Sequence, residues 1–274
     1  MLHCAAGRCT CCARLLRVRT LMRRVRAILA LVLLPTDAYA HAGAHGPHDL
    51  LQSWTFDAAI LSILAFSAAA YCVGWRTPGR RRGRLRAAHR ARAAWFAVGM
   101  LALVVALVSP VDALGELLFA GHMVQHLILT MVAAPVLVMS DAGIVIVRAL
   151  PHRARRVAGR VFRIGAVRGT WGVLTHPVVA WALHAAALVL WHVPAAYERA
   201  ILDERVHALE HWSFLVTALL FWWPVLAPRA RQRIAFGSAA VYLFAAATAS
   251  GILGAMIALS GAAWYTVHAH GVRP

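Results

Sequence analysis

The chain has 274 residues, of which 61% are hydrophobic and 14% charged, with a formal net charge of +18. A soluble domain is about half apolar and about a quarter charged, so a soluble enzyme, a disordered chain and a disulfide scaffold are excluded and an integral membrane protein remains. The charge is not a nucleic-acid signature: 25 of the 28 basic residues, all arginine, fall before residue 27 or within 76–92, 148–168 and 229–233, the clumping expected of loops retained on the cytoplasmic side.

Taken in chain order, the first 21 residues hold Cys4, Cys9, Cys11 and Cys12 and read as an over-extended start. From Met22 the pattern is that of a signal peptide: basic Arg23, Arg24 and Arg26, apolar Ala27 to Leu34, and a small-x-small cleavage site at Ala38-Tyr39-Ala40. The expected organisation is therefore 1–40 as start and signal peptide, 41–53 as a histidine-containing outer tail, and 54–274 as one transmembrane bundle. The mature chain keeps a single cysteine, Cys72, and can form no internal disulfide.

Six apolar segments follow, at roughly 54–75, 94–109, 117–139, 174–194, 208–226 and 235–259. Tryptophans at or near their ends, among them Trp54, Trp75, Trp95, Trp191, Trp212, Trp222 and Trp223, suit an interfacial belt. Residues 140–150 are apolar but too short to span and are expected along the inner surface. Cleavage after Ala40 and the arginine-rich loops at 76–92, 140–173 and 227–234 agree on orientation, with both mature ends outside. The expected fold class is all-α, a polytopic helical bundle of about six transmembrane helices. Pro110, Pro135, Pro194 and Pro224 are read as helix ends or kinks, and Gly251, Gly254 and Gly261 as close helix packing.

Ionisable groups inside a span are costly and tend to have a task, which directs attention to the histidines. His122 and His126 sit one helical turn apart at the start of the third span. Asp203, His207 and His211 form an i, i+4, i+8 stripe opening the fifth, with Glu210 beside it, and His192 closes the fourth. On the expected topology these histidines share the outer membrane edge. Two such pairs from different helices suit a metal, imidazole being a ligand for copper, zinc or iron, and the thioether of Met123 would favour Cu(I). The expected ligands are His122, His126, His207 and His211, with His192 and Met123 as alternates and Asp203 and Glu210 orienting the rings. Interhelical hydrogen bonding is the structural alternative. His184, two turns before His192, leaves room for a b-type haem held by axial histidines. His176, before Pro177, is read as structural. No protease or hydrolase motif is present, and an enzyme is not expected.

The segments LVSPVDALGELLFAGHMVQHLILTMVAAPVLVM, HPVVAWALHAAALVLWHVPAAYERAILDERVHALEHWSFLVTALLFWWPVL and SGILGAMIAL resemble the membrane-integral CtaG family of assembly factors for bacterial haem-copper cytochrome c oxidases. The resemblance runs from about residue 50 to 260. Its motif positions are His122, Met123, Gln125 and His126, then Trp191, His192, Pro194, Tyr197, His207, Glu210, His211 and Phe214. It implies a multi-pass protein of the bacterial inner membrane that contacts cytochrome c oxidase subunits, with copper supply as the suggested role and a periplasmic protein as the copper donor. It also implies a seventh span, where this sequence reads Trp264 to His270 and Pro274, so that helix is expected to be absent or replaced. Three functions remain open on the residues: a copper-handling assembly factor, a b-type haem electron-transfer protein, and a structural scaffold.

Overall fold

The structure is a computed structural model that describes residues 53–76, 84–228, 230 and 233–259. The signal peptide, the four early cysteines, the histidines of the outer tail, Gly261, His268 and His270 lie outside the described residues. Within them the chain is helical throughout, with no strand. The helices are α1 (Ala58–Arg76), α2 (Arg84–Leu107), α3 (Pro110–Leu117) and α4 (Phe119–Leu127), which continues through a π-helical segment, Ile128–Ala133, into α5 (Ala134–Met139). Then come α6 (Ala142–Ala149), α7 (His152–Val161), α8 (Gly165–Leu174), α9 (Pro177–His192), α10 (Pro194–Leu202), α11 (Glu204–Leu226) and α12 (Phe236–Leu259).

Five stretches are long and apolar enough to cross a membrane: Ala58–Arg76, Ala87–Leu107, Phe119–Met139, Glu204–Leu226 and Phe236–Leu259. The fourth expected span is broken. Here α8 and α9 meet at 64°, and the 16 residues of α9 reach about 24 Å at 1.5 Å per residue, short of a hydrocarbon core of about 30 Å. The break follows from Pro177, which disfavours helical backbone in the residue before it; His176 is extended, at φ −67° and ψ 131°. Counting the bent pair as one gives six spans.

Close helix contact rests on small residues. Ala102 and Ala106 of α2 meet Leu129 and Ala133 of the π-helical segment, with Leu64 of α1 completing the cluster. Tyr71 stacks on Phe96 at 3.7 Å between ring centroids. The apolar 140–150 segment forms α6, turned back at Asp141, which takes a left-handed φ of 58° and pairs with Arg92 at 3.3 Å. It packs against the end of α1, where Val145 joins Tyr71 and Phe96.

Two prolines set local geometry near the histidines. In the π register, Ala134 N bonds Leu129 O, so the next carbonyl, that of Thr130, would be served by residue 135. Pro135 has no N–H to give, and the indole Nε1 of Trp222 on α11 donates to Thr130 O instead, at 2.9 Å. Pro110 likewise leaves Ala106 O without its helical donor, and Gln125 Nε2 supplies one at 2.8 Å. Trp191 Nε1 donates to Ser213 Oγ at 2.7 Å. Trp191 and Trp222 thus tie helices together, their N–H groups satisfied inside the protein. Trp222→Phe is expected to leave a buried carbonyl unsatisfied at a cost of about 1–3 kcal/mol. A lowered thermal midpoint in detergent would register it.

The last helix, α12, has no buried residue. It is tied to the bundle by Tyr242, whose Oη donates to Phe221 O at 3.0 Å and whose ring stacks on Phe221, by Ile257 packed against Tyr197 and Ile201, and by contact with α9. The close packing expected at Gly251 and Gly254 is not made: a Cβ at either would meet nothing within 4 Å. This helix touches few neighbours, so small residues along it border open surface.

Candidate metal centre

Arg76 at the end of α1, Arg90 and Arg92 near the start of α2, and the arginines of α6 to α8 mark one end of the bundle, α6 packing against the end of α1. The histidines gather at the other end, where α4 and α11 both begin and α9 finishes. Asp203 caps α11, its carboxylate accepting from Arg205 N at 3.0 Å and Val206 N at 3.4 Å. With that start fixed, His207, Glu210, His211 and Phe214 recur at i, i+3, i+4 and i+7 and form one stripe. His122 and His126 form the facing stripe on α4.

The two stripes interlock. His122 and His126 ring centroids are 4.2 Å apart and those of His207 and His211 4.3 Å. Across the helices, His122 stacks on His207 at 5.3 Å, and His126 meets His211 at 5.3 Å. Glu210 reaches between them: its Oε1 is 3.4 Å from His122 Nε2 and 3.6 Å from His126 Nε2. Ligand atoms of His122, His126 and Glu210 all lie within 4.8 Å of one another, and all three residues are buried. Tyr197 of α10, itself fully buried, closes one side at 5.2 Å from the His122 ring, and Phe214 floors it at 4.5 Å from His126.

The donor set fits a metal ion. Among the described residues, His122 Nδ1, His126 Nδ1, His211 Nε2 and Glu210 Oε2 are buried without a hydrogen-bond partner, although buried polar atoms normally find one. A haem fits less well: imidazoles in mutual contact leave no slot for a macrocycle between them. His184 offers no alternative, since its Nδ1 sits 3.1 Å from Thr217 Oγ1 and its ring contact is with Phe221.

Of the residues expected from sequence, His122, His126, His207 and His211 come together. His192 is buried at the end of α9, its Nδ1 2.7 Å from Leu188 O, within Coulombic reach of Glu210 and His122. Met123 does not join them. One residue round the helix from His122, it packs against Tyr197 and Ile201 beside Phe119 and Ile257. Asp203 is extended, at φ −129° and ψ 110°, so the expected i, i+4, i+8 stripe starts one residue outside the helix. Its carboxylate caps α11 and lies 3.5 Å from Arg199. Glu210, expected to orient rings from behind, stands among them.

Asp112 of α3 was missed as part of this region. Gln125 Nε2 donates to its Oδ1 at 2.7 Å, and Gln125 shares the buried end of α4 with His122 and His126. Burial pushes the Asp112 carboxyl above its usual range, opposed by hydrogen bonds from Thr55 and Gln125 and by the charge of His122. The signal available in sequence was the i, i+3 spacing of His122 and Gln125, which points both side chains inward.

A family model described as cytochrome c oxidase caa3 assembly factor (Caa3_CtaG) matches residues 69–273. The match takes in every residue of the cluster. No curated protein and no solved structure matches the chain.

Proposed function

Because the chain belongs to the family of cytochrome c oxidase caa3 assembly factors, we propose that it carries copper in the imidazole–carboxylate cluster for a haem-copper oxidase. The oxidase-assembly role comes with the family; copper as cargo is the reading that the cluster supports. The observation that carries it is the convergence of four imidazoles and one buried carboxylate from two helices, several of their polar atoms lacking any protein partner. A scaffold needing only interhelical ties would pair those atoms with each other or with backbone.

In this reading His122, His126, His207 and His211 hold the ion, with His192 in reserve, and Asp203 fixes where α11 begins. The protein catalyses no reaction of its own. The arginine-rich end faces the cytoplasm of a bacterium and the cluster faces the periplasm, by the bias of basic loops toward the inside. Copper arrives there from a periplasmic donor and leaves to oxidase subunits docked on the bundle.

The test joins metal analysis to sidedness. Protein purified from copper-replete membranes is expected to hold copper in stoichiometric amount. In a background lacking the five native cysteines, Leu202→Cys should be labelled by an impermeant thiol reagent in intact cells, and Arg156→Cys only after permeabilisation. Copper-free protein would end the cargo reading, and reversed labelling would place the cluster on the wrong side.

A further inference from the structure

The donor chemistry of the cluster carries the copper reading, on which this inference rests, one step further. The geometry points to a site that holds its metal as a divalent ion, with the Glu210 carboxylate as a direct ligand beside the imidazoles of His122 and His126.

The distances leave room for a ligand set where a tight ion pair would not. A charge-assisted hydrogen bond between imidazole and carboxylate is about 2.7–2.9 Å long. Glu210 Oε1 instead stands 3.4 Å from His122 Nε2 and 3.6 Å from His126 Nε2. Ligand atoms about 2.0–2.1 Å from one ion stand about 2.9 Å apart as neighbours in the tetragonal field that Cu(II) takes with nitrogen and oxygen donors, and about 3.4 Å apart on a tetrahedron. The observed spacing is therefore long for a charge-assisted pair, His122 meeting Glu210 only in a long hydrogen bond, and it leaves room for an ion shared by the three groups. His211 Nε2, buried and without a hydrogen-bond partner among the described residues, remains to complete the set.

The chemical type of the donors then selects the ion. Thiolate and thioether ligands favour Cu(I), whereas imidazole and carboxylate suit divalent copper and zinc. Met123, the thioether adjacent to His122, is packed away among Tyr197, Ile201, Phe119 and Ile257. Cys72 is exposed on α1.

The experiment titrates the purified full-length protein with Cu(II), and anaerobically with Cu(I), each against a chelator of known affinity. Cu(II) is expected to bind more tightly and to give an EPR spectrum of mixed nitrogen and oxygen ligation. Glu210→Gln should weaken Cu(II) by more than the 10- to 100-fold that loss of an outer-shell partner gives, and change Cu(I) affinity only several-fold. Tighter Cu(I) binding, or an equal loss of both oxidation states in Glu210→Gln, would overturn the divalent site and leave the copper reading standing. Failure of the wild-type protein to bind either state would end both. Should Glu210→Gln not reach the membrane, the wild-type EPR spectrum decides, an all-nitrogen ligand field counting against Glu210.

Discussion

Changing His122 and His126 together to glutamine, or His207 and His211 together, is expected to strip the protein of copper while leaving it inserted in the membrane. Glutamine is the informative replacement because it keeps most of the volume and polarity of imidazole but none of its metal-binding nitrogen. Alanine would open a cavity beneath Tyr197 and beside Phe214, whose rings lie 5.2 Å from His122 and 4.5 Å from His126, and cavities carry their own cost. Each pair supplies half of the imidazoles, so losing either leaves at most two of them beside Glu210, and copper binding should weaken severely. The bundle itself is held by contacts elsewhere, such as the Leu64, Leu103 and Leu129 cluster. Oxidase activity should fall in parallel and recover in part with excess copper in the medium. Undiminished copper in both variants would end the ligand reading. Disappearance of both proteins from the membrane would mark the histidines as interhelical struts.

Gly74→Ala is expected to be the most damaging single substitution away from the cluster. A Cβ built at Gly74 falls 1.8 Å from Val145 O and 2.8 Å from Val145 C. Both are backbone atoms, so no side-chain rotation relieves the clash and α6 must move away from α1. That movement opens the seam where Tyr71, Phe96 and Val145 pack together with Trp75 and Ile146. Overpacking within a well-filled interior costs about 1–3 kcal/mol, and a backbone clash of this depth belongs at or above the upper end. Folded protein recovered in detergent should drop sharply, with a lowered thermal midpoint in what remains. Cys72→Ala, two residues earlier and on the exposed side, is the matched control and should behave as wild type. An unchanged midpoint in Gly74→Ala would mean that α1 and α6 do not make this contact.

Composition and periodicity alone determined the class and most of the spans. Long uncharged runs admit only helices in a bilayer, since every backbone group must be satisfied within its own segment. The 235–259 segment accordingly returns as Phe236–Leu259 and 117–139 as Phe119–Met139. The same helical period placed His122 with His126 and His207 with His211. It could not set the rotation of α4 against α11, which depends on packing: on small residues such as Ala102, Ala106 and Ala133, and on the indole of Trp222 filling the hydrogen bond that Pro135 cannot make.

That rotation put Glu210 between His122 and His126 and turned Met123 toward Tyr197 and Ile201. The cap geometry at Asp203 shows the same division. Its spacing to His207 fits a stripe, but the helix begins after it, and the nearest use for its carboxylate is the free backbone N–H groups of Arg205 and Val206. The break at Pro177 was visible as a residue, but the 64° bend was not, because a proline at the start of a helix states only that the chain turns. Helical spacing says which side chains share a face; which faces meet, and which of two neighbouring residues points into the site, is decided by contacts between helices distant in sequence.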